Sequence, residues 1–139
     1  MTVSDDPQRD QPPGGGVVAG GCLCGSVRFE AELAGRALII CYCTQCLRQN
    51  SGPLISTAAL RVSWTQGTPA TYRASDIATR GFCRDCGSTL YWQRDGQPPE
   101  LAHGAFDDRD GFALSSFVHE ETRPDAYRIA PAIQEAPND

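Results

Sequence analysis

Three cysteines fall within six residues in the segment Cys41-Tyr42-Cys43-Thr44-Gln45-Cys46. A C-x-C and a C-x2-C spacing are fused there and share Cys43. Neighbouring thiolates of this kind can chelate one ion, whereas a disulfide inside a C-x-C is strained. A tetrahedral thiolate site has four ligands, so this cluster is one short. The chain holds seven cysteines in all, and the other four are Cys22-x-Cys24 and Cys83-x2-Cys86. In "GCLCGS" and "FCRDCGS" the second cysteine is followed by a glycine, Gly25 or Gly87. This is the knuckle pattern, in which a tight turn aims two sulfurs at one ion and glycine accepts the positive φ of the turn. Two such pairs make a closed, structural four-cysteine zinc site. The triple then holds a second Zn²⁺ with one position open, as expected of a catalytic or substrate-binding zinc. Spacing does not force that partition. The triple can instead take a cysteine from another group, or be closed by His103 or His119 as a second structural site. Neither histidine stands at close ligand spacing to a cysteine, and a lone histidine among strands is more often a surface or satisfied core residue.

The chain around these ligands has 139 residues, which suits one domain with a real core. Apolar residues make up 40% and charged residues 21%, the balance of a soluble globular protein. Fourteen glycines and ten prolines indicate a loop-rich, β-rich chain. The longest strongly apolar stretch, Ala37 to Cys41, is far too short to span a membrane. MTVSDDPQRD has no basic start and no apolar core, so a cytoplasmic protein without a secretory signal is expected. Formal charge is −5, and seven thiolates on two Zn²⁺ would take it to about −8. That argues against nucleic acid as a partner, because phosphate binding needs clustered cations. All the basic residues are arginine. An odd set of closely spaced thiols in a cytosolic chain reads as metal ligands rather than disulfides.

The elements that must position the sulfurs are short strands. Ser26 to Glu32 alternates, with Val27, Phe29 and Ala31 on one face and Arg28, Glu30 and Glu32 on the other. Ala37 to Cys41 leads into the triple. Thr44 to Asn50 suits one helical turn capped by Thr44. Further strands are expected at Leu54 to Leu60, Ala70 to Arg73, Ile77 to Phe82, Thr89 to Gln93, Leu101 to His103 and Leu114 to His119. Turn signals separate them at Gly67-Thr68-Pro69, Asp95-Gly96, Asp107-Asp108 and Asp110-Gly111. The fold class is all-β. Residues 1–17 and 131–139 have the composition of flexible tails around a domain at 18–130.

Beside the triple, Gln45, Arg48, Asn50 and Ser51 offer donors to a substrate, and Arg48 can pair with a carboxylate. Its plainer role is to neutralise the anionic site or to face solvent. Tyr42, Tyr91 and Trp92 are candidate pocket walls, although core packing suits Tyr91 and Trp92 better. Asp107 and Asp108 could act as a base pair, but "DDRDG" reads as a solvated turn.

These segments also resemble a known family. "GGCLCGSVRFE", "CYCTQCLRQNSG" and "GFCRDCGSTLYW", in this order, are similar to the glutathione-dependent formaldehyde-activating enzyme family, also called the centromere protein V family. "VSWTQGTPATYRAS", "LAHGAFDD" and "SSFVHEETRPDAYRIA" continue the likeness, which runs from about Gly20 to Ala130. The resemblance implies a small β-tent fold and two zinc ions. A structural zinc would lie on Cys22, Cys24, Cys83 and Cys86, and a catalytic zinc on Cys41, Cys43 and Cys46. It implies a carbon–sulfur lyase activity of the S-(hydroxymethyl)glutathione synthase kind, in which a thiol adds to formaldehyde. Tyr42 stands where many members have His, Ser115-Ser116 where many have His–Ile, and Ala126 where Trp is common.

Two classes of function follow. One is a zinc-dependent enzyme handling adducts of a low-molecular-weight thiol, glutathione or another, with formaldehyde or a similar small carbonyl compound. The other is a non-catalytic zinc module that binds a protein partner. A binding module has no need of an open coordination position, which favours the enzyme.

Overall fold

The computed structural model describes residues 14–128. Its elements are β1 (Val17–Gly21), β2 (Arg28–Leu33), β3 (Ala37–Cys41), α1 (Thr44–Asn50), β4 (Leu54–Gln66), β5 (Ala70–Arg73), β6 (Ala78–Phe82), β7 (Thr89–Arg94), β8 (Glu100–Ala102) and β9 (Ala113–Val118). Short 3₁₀ turns cover His103–Ala105, Glu120–Thr122 and Asp125–Tyr127. The all-β expectation holds, with one seven-residue helix.

The thirteen-residue β4 organises the sheet. From Ala59 onward it pairs with β2, at Ser56–Ala58 with β8, and at Leu54–Ser56 with β3. The main path runs β1-β2-β4-β8-β7-β6-β5, all antiparallel, while β3 pairs antiparallel with β4 and parallel with β9. Alternation in β2 is as expected, with Phe29, Ala31 and Leu33 buried. Phe29, Leu33, Leu90, Leu101 and Phe106 are at most 1% exposed and form the main core. Phe29 meets Trp64 and Phe106 edge-on, at ring centroid distances of 5.5 and 6.2 Å. Cys22 and Cys83 belong to this core. Cys46, Leu54 and Ala102 form a second, smaller cluster, against which Cys41, Cys43 and Trp92 pack. In β8 the two faces part: Leu101 enters the main core and Ala102 the smaller cluster. Gly81 in β6 is required by packing, because a Cβ there would overlap the ring of its cross-strand partner Tyr91.

Several sequence expectations need correction. The expected strand at Leu54 to Leu60 runs on to Gln66, where pairing with β2 supplies partners that the local pattern does not show. His103 lies outside β8, in a 3₁₀ turn. Strand β1 was not expected, because its Gly-rich sequence has a weak strand signature. It forms because it covers the edge of β2, from Val17↔Glu32 to Gly21↔Arg28. The tail boundary at residue 17 is therefore too late. Gly16 carbonyl accepts from Leu33 N at 2.9 Å, and Gly15 carbonyl accepts from Arg36 Nε at 2.6 Å. Residues 1–13 and 129–139 lie outside the described residues.

Two truncations test this boundary. A chain starting at residue 18 loses both carbonyl acceptors, at about 1 kcal/mol each. It should melt several degrees below a chain starting at residue 14. Equal melting temperatures would show that Gly15 and Gly16 contribute nothing.

Candidate metal centres

The four-cysteine group is built from two turns of the same design. In each, a cysteine is followed by Gly and Ser: Cys24-Gly25-Ser26 and Cys86-Gly87-Ser88. Gly25 and Gly87 have φ of 81° and 79°, a backbone that a Cβ would strain. Gly25 N donates to Cys22 carbonyl at 3.2 Å and Gly87 N to Cys83 carbonyl at 2.8 Å, closing the turns. Each serine hydroxyl lies 3.1 Å from the sulfur two residues earlier. Leu23 N donates to Ser88 Oγ at 2.9 Å and ties one turn to the other. The four sulfurs lie within 4.8 Å of one another, with Cys22–Cys24 at 3.6 Å and Cys24–Cys83 at 3.8 Å. Zn–S bonds place tetrahedral sulfurs about 3.8 Å apart, so the set fits a Zn²⁺. The Ser88 hydroxyl and backbone N–H lower the Cys86 pKa to about 5, favouring the thiolate that a metal needs.

The triple is placed by a strand end and a helix start. Cys41 closes β3. Cys43 is the N-cap of α1 in place of the expected Thr44, with extended φ −62° and ψ 156°, and its sulfur accepts from Cys46 N at 3.3 Å. Cys46 is 2% exposed. The three sulfurs lie within 4.8 Å of one another. Among the described residues no histidine or carboxylate joins either group at that distance. The donor set is soft, as zinc prefers, and provides three ligands. Burial, followed by the neighbouring Cys46, pushes the Cys41 pKa up to about 12, and burial also raises that of Cys46. Burial acts upward on Cys43 too, but the Cys46 N–H, the neighbouring thiols and Arg80 together lower its pKa. Without a cation the three cannot all be thiolates.

Arg80 on β6 supplies one positive charge at this cluster. It is 4% exposed. Its Nη2 reaches Cys46 Sγ at 3.4 Å, Cys43 Sγ at 3.9 Å and Gln45 Oε1 at 3.3 Å, and its Nη1 reaches Gln49 Oε1 at 2.9 Å. Nε has no partner among the described residues, and no carboxylate there forms an ion pair with Arg80. The sequence reading missed this residue. The available signal was a charged side chain at the inward phase of a strand, between Ala78 and Phe82.

A cavity of about 370 Å³ opens on the triple. Besides the cysteines, Gln45, Arg80, Trp92, Glu100 and His119 line it. Arg80, Trp92 and Glu100 are consecutive cross-strand partners on β6, β7 and β8. Glu100 was not singled out from the sequence, and burial raises its carboxyl pKa. Arg48 lines a neighbouring cavity of about 530 Å³ with Tyr72, Gln45 and Arg80. Asn50 faces a different cavity, donating to Cys46 carbonyl at 3.0 Å and accepting from Thr89 at 2.6 Å. Ser51 is the exposed left-handed cap of α1. Asn50 thus touches the backbone of the triple, but neither it nor Ser51 lines the cavity that opens on the sulfurs.

The other candidates have plainer roles. Tyr42 is buried, stacked on Phe117 at 6.3 Å, and its carbonyl accepts from Thr122 at 2.6 Å. Tyr91 packs in the main core. His103 is paired with Arg109 carbonyl at 2.9 Å, and His119 with Glu121 at 3.2 Å. Asp107 forms a two-pronged ion pair with Arg28, and Asp108 accepts from Asp110 N within its own turn. Ser115 donates to Leu38 carbonyl at 3.0 Å, holding β9 on β3, and Ser116 is in register with Ile39.

Residues 17–122 match the model of the glutathione-dependent formaldehyde-activating enzyme family. An uncharacterized lyase of Schizosaccharomyces pombe is 28% identical over 116 residues, covering 80% of this chain and 84% of that protein. A crystal structure of a Rhodobacter sphaeroides protein shares the fold, with a TM-score of 0.59 and 24% identity, covering 71% of this chain and 98% of that one.

Two substitutions probe the centres. Structural zinc contributes about 10–16 kcal/mol of apparent binding energy, against about 5–15 kcal/mol of net stability for a whole domain. Cys83→Ser should therefore be insoluble or unfolded. A well-folded variant with one zinc would reassign the four. Removing one partner of a buried charge pair costs about 2–5 kcal/mol. Arg80→Gln should thus weaken zinc at the triple by roughly thirtyfold or more, while the four-cysteine zinc is unchanged in a chelator competition.

Proposed function

This chain belongs to the glutathione-dependent formaldehyde-activating enzyme family, and from that premise we propose that it is a zinc-dependent carbon–sulfur lyase-type enzyme acting on adducts of a low-molecular-weight thiol with formaldehyde or another small carbonyl compound. The observation that carries the reading is the set of three sulfurs within 4.8 Å that faces a cavity of about 370 Å³ and lacks a fourth protein ligand among the described residues.

In this reading Cys22, Cys24, Cys83 and Cys86 hold a structural zinc, and Cys41, Cys43 and Cys46 hold a catalytic one. When bound, the catalytic zinc would supply a positive charge that favours the anionic form of a thiol, while its three thiolates leave it a poor activator of carbonyls. The chain's own residues do the rest. Arg80 balances the negative charge of the cysteine sulfurs and holds Gln45, which lines this cavity, and Gln49, which lines the adjoining one. Trp92 keeps one side apolar, which limits water around a reactive carbonyl. Arg48 has no ion pair among the described residues and stands in the adjoining cavity, where it can meet a carboxylate of a peptide-like thiol such as glutathione. In the synthetic direction an S–C bond forms, the C=O π bond opens, and the thiol proton ends on the new hydroxyl.

One observation favours the alternative, a zinc module that binds a protein partner. Leu114, Phe117 and Val118 on β9 are 51%, 45% and 38% exposed. A single variant separates the two readings. Cys46→Ser should stay folded, keep one tight zinc, and lose both thiol binding by calorimetry and adduct formation. X-ray absorption of the wild type should fit an equal mixture of four-sulfur and three-sulfur zinc. Two fully four-sulfur shells, with no thiol bound, would leave the binding-module reading in place.

A further inference from the structure

We propose that Glu100 is the proton-holding residue of the cavity, taking the thiol proton as the sulfur attacks and returning it to the carbonyl oxygen. The proposal rests on the reading that thiols are taken up in this cavity.

Strand alternation puts Glu100 on the right face. Its neighbour Leu101 is fully buried in the main core, whereas Ala102, two residues on, packs with Cys46 and Leu54. Glu100 shares that second face and lines the cavity beside Cys41, Cys43 and Cys46. Trp92 lies between Arg80 and Glu100 in the cross-strand register, so their backbones are two strand spacings apart, about 10 Å. Arg80 is turned to the sulfurs and glutamines instead. Among the described residues the Glu100 carboxylate has neither a hydrogen bond nor an ion pair. Glu100 is half-buried but its carboxylate oxygens are not sealed from the cavity, so they are open to exchange a proton with what enters it.

Charge balance says what that use is. A thiol reacting as its anion brings one more negative charge to a cavity already faced by cysteine sulfurs and Glu100. Moving the thiol proton to Glu100 keeps the total constant, and the thiol is taken up as a neutral unit. The step balances: the S–H bond gives its proton to a Glu100 oxygen, the sulfur pair forms the S–C bond, and the C=O π pair becomes an alkoxide that takes the proton back. The reverse sequence breaks the adduct. The other groups facing Glu100 are the cysteine sulfurs of β3 and α1, Arg80 of β6 and His119 beyond β9. Of these, His119 is a rival proton holder, but its Nδ1 is committed to Glu121 at 3.2 Å.

The test counts protons. Glutathione is titrated calorimetrically into the zinc-loaded protein in buffers of different ionisation enthalpy. In the wild type little proton should appear in the buffer on binding, and in Glu100→Gln about one proton per thiol. Glu100→Gln should keep both zinc ions and its melting temperature. It should form the formaldehyde adduct roughly a hundredfold more slowly. Three results overturn the proposal: a full proton released by the wild type, equal release and rate in both proteins, or His119→Gln in place of Glu100→Gln releasing the proton. The first needs no variant to fold. If thiol binds but these results appear, Glu100 alone is misassigned. If no thiol binds to the wild type, the proposed function fails together with it.

Discussion

Seven sulfurs gathered into two groups are the constraint around which this domain is arranged. Two thiolates about 3.8 Å apart repel by about 4 kcal/mol at an effective dielectric of about 20. Each group therefore needs a cation or must stay protonated. The cost is not confined to the surface, because Cys22 and Cys83 are part of the main core and Cys46 is the centre of the smaller one. Metal uptake by either group would therefore be coupled to the packing of the cluster its cysteines belong to.

The two groups meet that constraint differently. In the four-cysteine group, serine hydroxyls and turn N–H groups point at the sulfurs, and both turns repeat the Cys-Gly-Ser order. All four ligands are spent on closing the site. In the triple, a helix N-terminus and one buried arginine take that role, while a cavity occupies the remaining side. One centre is closed by protein and the other is exposed to whatever enters. That asymmetry is the physical basis for assigning stability to the first and chemistry to the second.

The sheet then decides which side chains accompany the open centre. Tyr72, Arg80, Trp92, Glu100 and Ala58 are successive cross-strand partners from β5 through β6, β7 and β8 to β4. A cation, an aromatic wall and a carboxylate arrive in one row from three separate sequence segments. A one-residue slip in any of these strands would move its member to the opposite face. The tight contact between Gly81 and Tyr91 is one device that holds the register, since no other residue fits there.

The amino-acid sequence by itself marked the cysteines as candidate metal ligands with a tendency to group, because chelation by C-x-C and C-x2-C is local and the glycine after each pair of the four-cysteine group marks the turn. It also determined the β class and the burial of Phe29 and Ala31, since period-two alternation is a property of a strand on its own. It did not determine β1, whose weak strand character is overridden by pairing with β2. Nor did it reveal Arg80 and Glu100, or separate Asn50 and Ser51 from the cavity. Residues next to the triple in sequence were natural guesses for substrate contacts. Helix α1, however, turns Asn50 toward Thr89 and away, while Arg80, Trp92 and Glu100 come to the cavity from strands more than thirty positions downstream. Cross-strand register is a non-local quantity, set by the whole sheet through bulges, pairing and packing, and only the tertiary structure holds it.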